Sequence, residues 1–318
     1  MDNVRKYLDY VRGVRRYSER TCEIYSSVLE EFMSYSVFAG GSSAQALVPE
    51  NIRNYEVYLL DDKAFSPRTV NLHLSVLSGF SRYMLREGLI KTNPVRLVTR
   101  PRQPARLPEF YRKSSMEHYL QDTAYLADED AGMLVTGDDE VSARRWEAIR
   151  NRLIINLLYK TGIRRSELVS LTVGAVDCAR NVIRVTGKGD KTREIPLAAE
   201  IFPEISLYLD TTVKLFGHEA ADPSAPLFIT SKGAPIYPVA VDRVVKKELG
   251  ASGITGRKSP HVLRHTLATQ LLDEGARLNS IKEMLGHSSL AATQVYTHNS
   301  VEKLKNVYNS AHPRAKRQ

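Results

Sequence analysis

The sequence predicts a mainly α protein of the α+β class: a four-helix N-terminal domain, then a mostly helical second domain with a small antiparallel β-sheet. Three observations predict it. Apolar residues recur at helical spacing through residues 1–95 and through most of the chain beyond the proline-rich stretch. Strand-type runs are confined to one short region, 182–196. Three prolines and three arginines crowd residues 100–108, Arg-Pro-Arg-Gln-Pro-Ala-Arg-Leu-Pro, which no helix can run through. The expected organisation is therefore a helical domain over 1–99, a basic linker over 100–108 and a second domain over 109–318.

In the first domain, Tyr17-Ser18-Glu19-Arg20-Thr21 opens an amphipathic stretch in which Ile24, Val28, Leu29 and Phe32 share a face. Gly40-Gly41-Ser42-Ser43 breaks it. Pro49-Glu50-Asn51-Ile52 starts a helix with Ile52, Tyr55, Leu59 and Leu60 on one side. Ser66-Pro67 reads as an N-cap followed by proline at the first helical position. Val70, Leu74, Leu77, Phe80 and Leu85 form that helix's apolar side, and Gly88 ends it. An extended basic linker between two compact domains suits a clamp that closes around DNA.

Beyond the linker, residues 122–140 are acidic (Asp128-Glu129-Asp130, Asp138-Asp139-Glu140) and predict a surface excursion. A strongly apolar helix runs from Trp146 to Tyr159. Val182-Ile183-Arg184-Val185 and Thr192-Arg193-Glu194-Ile195-Pro196 are the two strands. Gly187-Lys188-Gly189-Asp190-Lys191 between them predicts a hairpin. Helices follow over 200–214, 239–249, 260–274, 278–285 and 300–308.

Composition narrows the function. Of 318 residues, 42% are hydrophobic and 25% charged, as in a soluble protein with real cores. Lys plus Arg number 45 against 36 Asp plus Glu, a formal charge of +9 that favours a polyanionic partner, DNA or RNA first. Two distant cysteines, Cys22 and Cys178, argue against a disulfide framework and a zinc site. The charged N-terminus lacks a signal-peptide core, and no run approaches the ~20 apolar residues a membrane span needs. The expected compartment is the cytoplasm, in association with the nucleoid, with no membrane contact.

The chemistry-bearing residues form an ordered set. Phosphodiester cleavage builds negative charge on the non-bridging oxygens, and arginine forks donate paired hydrogen bonds to such oxygens at any working pH. Arg164 follows Thr161-Gly162, where a buried helix ends and a turn begins, a rigid junction suited to preorganised electrostatics. His261 and Arg264 are three apart and share a helix face, whereas His265 is expected to face elsewhere as a structural residue. Lys188, between two glycines at the hairpin tip, can reach a DNA groove and protonate a leaving oxygen, with Lys191 as competitor. Tyr296, one of 16 tyrosines, is singled out by its place after Gly286-His287 and before a short polar link to a final helix. With a phenol pKa near about 10, it needs cations or a base to act as a nucleophile. Val301, Leu304, Val307 and Tyr308 make one apolar stripe on that last helix.

With these residues in hand, the chain resembles the tyrosine recombinase/integrase family, and most closely its XerC/XerD-like branch. Arg164 to Lys188 is 24 positions, Lys188 to His261 is 73, His261 to Arg264 is 3, Arg264 to His287 is 23 and His287 to Tyr296 is 9. Six such positions in order are a specific signal, and the likeness spans both domains and the His312-Pro313-Arg314-Ala315 tail. The resemblance implies a core-binding domain, a linker and a catalytic domain with a C-terminal exchange helix. It implies that Arg164 and Arg264 bind the scissile phosphate, Lys188 acts as general acid, His261 assists proton transfer and His287 supports the phosphate. Tyr296 then forms a 3′-phosphotyrosyl link without ATP, metal or other cofactor, and exchange proceeds through a Holliday junction. It further implies double-stranded DNA carrying a specific site, a homo- or hetero-tetramer on it, a second Xer-type recombinase and a DNA translocase. Arg68, Arg100, Arg102, Arg106, Lys191 and Arg193 are the further DNA-contact candidates. Xer-type resolution of chromosome or plasmid dimers is the preferred role, with a mobile-element integrase or DNA invertase as the alternative. A type IB-like topoisomerase and an inactive DNA-binding protein are more remote readings, disfavoured by the Xer-like tail and the intact six-residue set. Two features depart from the family pattern: the acidic 122–140 segment and a second arginine, Arg165, directly after Arg164.

Overall fold

The computed structural model describes residues 2–35, 42–103, 109–137, 139–187 and 192–286. Backbone proximity divides the chain into two units, Met1–Arg106 and Leu107–Gln318. In the first unit, helices α1 (Asp2–Gly13), α2 (Glu19–Ser34), a single turn α3 (Ser43–Ala46), α4 (Pro49–Asp61) and α5 (Pro67–Arg86) surround one apolar core. Serines begin the longer helices as the sequence requires. Ser18 Oγ accepts from the Thr21 amide and Ser66 Oγ from the Thr69 amide, each at 3.3 Å. Leu29, Phe32, Ile52, Tyr55, Leu59, Leu74, Leu77 and Phe80 are wholly buried.

One expected core position is wrong. Leu85 is 40% exposed and Met84 is buried in its place. Fourteen residues on from Val70 is close to four helical turns, so Met84 returns to the buried side and Leu85 lies about 100° further round. The first residues of the proline-rich stretch are held on α5 rather than extended into solvent. Asn71 Nδ2 donates to the Pro101 carbonyl at 2.9 Å and Arg100 Nη1 to Ser75 Oγ at 2.9 Å.

In the second unit, α6 (Lys113–Asp122), α7 (Glu129–Met133), α8 (Glu140–Thr161), α9 (Arg165–Val169), α10 (Ile201–Phe216), α11 (Pro238–Ala251), α12 (Pro260–Asp273) and α13 (Leu278–Leu285) pack around a three-stranded antiparallel sheet. Its strands, in the order β1 (Val176–Asp177), β2 (Val182–Thr186) and β3 (Thr192–Pro196), pair in sequence, with Ile183 opposite Ile195 and Thr186 opposite Thr192. The expected strands are β2 and β3; the two-residue β1 is too short to leave a pattern. The mainly α fold with one small sheet is as the sequence predicts. The expected helix over 300–308 and the hairpin tip at 188–191 lie outside the described residues.

Helix α8 is the hub, packed by α10, α11 and α12. It is apolar on most sides, as a central helix must be, and Ile149, Leu153, Ile154, Ile155, Leu157 and Leu158 are buried. Most of its buried polar side chains find partners, among them Arg152 with Glu204 at 3.0 Å and Trp146 Nε1 with Thr212 Oγ1 at 2.8 Å.

The acidic 122–140 segment lies at the surface as the sequence predicts, with Asp122, Asp128, Asp130, Asp139 and Glu140 exposed, but apolar residues anchor it. Leu126, Ala131 and Val135 are buried in the main core. Asp139 is a helix cap, its Oδ1 accepting from the Val141 and Ser142 amides at 2.8 and 2.9 Å. Part of the acidity is therefore capping chemistry, and the segment is pinned at both ends. Among the described residues no helix is long and apolar enough to cross a membrane.

Candidate active site

Two helix ends meet at the site, and a glycine makes each possible. Helix α8 closes at Gly162 with φ 61°, and α13 closes at Gly286 with φ 64°, both in the left-handed region that glycine enters at least cost. There is also no room for a side chain. A Cβ on Gly162 would stand 2.6 Å from a Leu285 methyl carbon, and one on Gly286 would stand 3.0 Å from Arg193 Cζ.

Arg164 follows the first of these turns as the extended residue before α9. Its amide donates to Glu167 Oε2 at 2.8 Å, its Nη1 to Glu167 Oε1 at 2.8 Å, and its Nη2 to the Gly286 carbonyl at 2.5 Å. Arg264, buried on α12, reaches the same junction from the other side. Its Nη1 donates to the Gly162 carbonyl and its Nη2 to the Leu285 carbonyl, each at 2.5 Å. Arg264 thus braces both helix ends and Arg164 the second of them, which fixes their guanidinium groups in place.

Glu167 is the counter-charge, only 2% exposed. Burial pushes its carboxyl upward, but hydrogen bonds from Arg193 and Arg164 outweigh burial and hold it at about 2. It is ionised at any working pH.

One turn along α12, His261 Nε2 lies 2.9 Å from His265 Nε2. His265 therefore does not face elsewhere, as expected from sequence; four residues apart on a helix is the same face. Burial, then Arg264 and Arg257, lower the His261 pKa, and burial, His261 and Arg264 lower that of His265 to about 4. Both imidazoles are thus biased toward the neutral form, in which one Nε2 donates to the other.

Arg164, His261 and Arg264 line one open cleft of about 790 Å³, together with Arg257, Lys258 and Ser259. Arg165 lies on the same wall, its charge tied to Asp242 of α11. Such a cleft can hold a phosphate, spread its charge over fixed cations and accept a proton beside it.

The other expected residues fall in three groups. Lys188, His287, Tyr296, Lys191 and Arg106 lie outside the described residues. Arg68 and Arg100 come together in the N-terminal unit, lining a cleft of about 730 Å³ with Asn71, Ser75 and Gln103; Arg102 is exposed nearby in sequence. Arg193 is turned inward, its guanidinium on Glu167 and on the Met284 carbonyl. Sequence reasoning also passed over Arg257 and Lys258 at the cleft, just ahead of the α12 cap.

A mainly helical two-unit protein whose cleft is lined by Arg164, Arg257, Lys258 and Arg264 is built for phosphate chemistry on a polyanion. The comparisons give its family. The phage integrase family model matches residues 134–303, and that of the phage integrase N-terminal SAM-like domain matches 4–88. Tyrosine recombinase XerC of Bacillus pumilus is 35% identical over 315 residues, 98% of this chain and 96% of that one. Tyrosine recombinase XerC of Chlorobaculum parvum is 35% identical over 235 residues, 73% and 69% of the two chains. The fold is that of XerH site-specific recombinase bound to a palindromic difH substrate, with TM-score 0.71 at 20% identity over 96% of this chain and 84% of that one. The chain belongs to the phage integrase family. It is a site-specific tyrosine recombinase, an enzyme that binds DNA and breaks and rejoins it.

Proposed function

We propose that this recombinase resolves chromosome or plasmid dimers in the cytoplasm, as an Xer-type enzyme assembled as a tetramer on a specific duplex site. The observation that carries the chemistry is the convergence of Arg164, His261 and Arg264 on one cleft, with both arginines bonded to carbonyls at the two helix ends. Tyr296 Oη attacks the scissile phosphorus while its proton passes to neutral His261. The bond from phosphorus to the 5′-oxygen breaks, and that oxygen takes a proton from Lys188. Arg164 and Arg264 offset the charge on the non-bridging oxygens, and His287 supports the same phosphate. The broken bond's energy is kept in the 3′-phosphotyrosyl ester. A 5′-hydroxyl from the partner duplex then attacks phosphorus, releases Tyr296 and leads through a Holliday junction. Arg68, Arg100 and Arg102 hold backbone phosphates along the N-terminal unit, and Arg106 and Lys191 join them.

Overall role follows from likeness to the XerC proteins over nearly the full chain. A second Xer-type recombinase and a DNA translocase complete the proposed assembly.

The test is covalent capture on a nicked suicide duplex. Wild type is expected to give an SDS-stable protein–DNA adduct, and Tyr296→Phe to bind the same DNA and give none. An adduct with the Phe variant refutes Tyr296 and makes Tyr308 the next candidate.

A further inference from the structure

The last two carbonyls of α13 and that of Gly286 just after it are each met by a different arginine. Arg193 Nε donates to Met284 O at 3.0 Å, Arg264 Nη2 to Leu285 O at 2.5 Å and Arg164 Nη2 to Gly286 O at 2.5 Å. Helix C-terminal carbonyls lack intrahelical donors and sit at the negative end of the dipole, so cations suit them. Two of these arginines line the cleft; Arg193 does not. It stands on β3, its side chain 17% exposed. Its Nη1 and Nη2 make a parallel fork on Glu167 Oε1 and Oε2, both at 2.9 Å. Its guanidinium also lies against Gly286, where any Cβ would displace it.

We propose that Arg193 is a positioning residue for strand cleavage, holding Glu167 and, through it, Arg164. This rests on Arg164 acting as a phosphate clamp. Two physical effects are at work. Glu167 grips Arg164 by two bonds, and the Arg193 fork fixes the plane in which that carboxylate presents its oxygens. Charge is the second effect. A buried carboxylate facing Arg164 alone would neutralise it; with Arg193 present the trio keeps one net positive charge for the phosphate. The Met284 bond ties the same strut to the turn that leads into His287. Arg193 spends its Nε and one hydrogen of each Nη on Met284 and Glu167, which holds the guanidinium inward rather than along the cleft wall.

The experiment compares single-turnover cleavage at saturating DNA on two nicked duplexes. One carries the natural scissile phosphate, the other a methylphosphonate, neutral in the ground state and with a single non-bridging oxygen, which leaves less charge for Arg164 to offset. Arg193→Met is expected to slow cleavage of the phosphate roughly 10–100-fold, the usual cost of losing an outer partner. On the methylphosphonate the deficit shrinks to a few-fold. DNA affinity stays within about threefold, because many other cations contact the backbone. Adding Arg193→Met to Arg164→Ala costs little more than Arg164→Ala alone, since both act through one clamp. Arg193→Lys, which keeps the charge without the fork, recovers part of the rate and serves if the Met variant does not fold. An equal deficit on both duplexes overturns the proposal in favour of general loss of structure. Weakened binding with normal cleavage at saturation overturns it in favour of a DNA contact. If instead Arg164→Ala cleaves the phosphate at the wild-type rate, the clamp reading itself falls, a distinct result.

Discussion

At the scale of single residues, the site is a problem of keeping arginines straight and charged. Arg264 is buried, yet both terminal nitrogens find carbonyls at helix ends, so its guanidinium is fixed before DNA arrives. Preorganised donors act mainly on the transition state, where the phosphate charge peaks. Arg264→Ala is expected to lower the cleavage rate roughly 10²–10³-fold, by analogy with loss of one oxyanion donor. DNA affinity should change far less. Quench-flow rates at saturating DNA, beside a binding isotherm, check both; near-normal cleavage would remove Arg264 from the clamp. The sequence puts Arg164 at a helix junction and His261 and Arg264 three apart on one helix face, and the structure brings all three to one cleft. The inward turn of Arg193 was not read, although the signal exists. Alternate strand residues share a face, and Ile195, two positions on, is wholly buried. His265 was missed similarly, for four residues along a helix is one face.

At the scale of elements, function depends on how α8 and α13 end. Gly162 combines a positive φ with a Leu285 carbon 2.6 Å from where a Cβ would stand. Gly253 also has a positive φ, 69°, but open space around it. Comparing alanine at the two sites separates conformation from packing. Gly253→Ala should cost about 1–2 kcal/mol, the left-handed penalty alone. Gly162→Ala adds overpacking of roughly 1–3 kcal/mol. Thermal melts of the two variants give the difference, and equal losses would mean that Leu285 moves aside freely. Helices α10 to α13 were readable to within a few residues because their apolar spacing and caps are local, whereas α6 and the first six residues of α8 were not. Nor were the roles of residues 122–140. Acidic composition looks alike whether a carboxylate is solvated or, like Asp139, spends its oxygen on two amides. That choice is made by α8 and the core around Leu126 and Val135, which no local pattern encodes.

At the scale of the whole molecule, a recombinase must not cut DNA as a lone protomer. We infer a device for that from residues 299–308, which lie outside the described ones. Asn299-Ser300 reads as a join and helix cap directly after Tyr296. Val301, Leu304, Val307 and Tyr308 then share one helical face. An isolated helix of that length is marginal in water, so the stripe requires a groove to settle in. Docking on a neighbouring protomer would couple the placement of Tyr296 to assembly, because only a few residues separate nucleophile from stripe. Docking on its own catalytic unit would satisfy the pattern without any such coupling. Deletion from Ser300 onward distinguishes them. With docking in trans, one truncated protomer binds a half-site nearly as wild type does, while cooperative occupancy of the full site and strand exchange are lost. Mixing the truncated chain with a full-length Tyr296→Phe partner should restore adduct formation at the truncated protomer only if the missing segment is one it receives rather than one it gives. Band-shift titration and trapping on a full-site suicide duplex measure both, and normal synapsis and recombination by the truncated protein alone would refute the coupling.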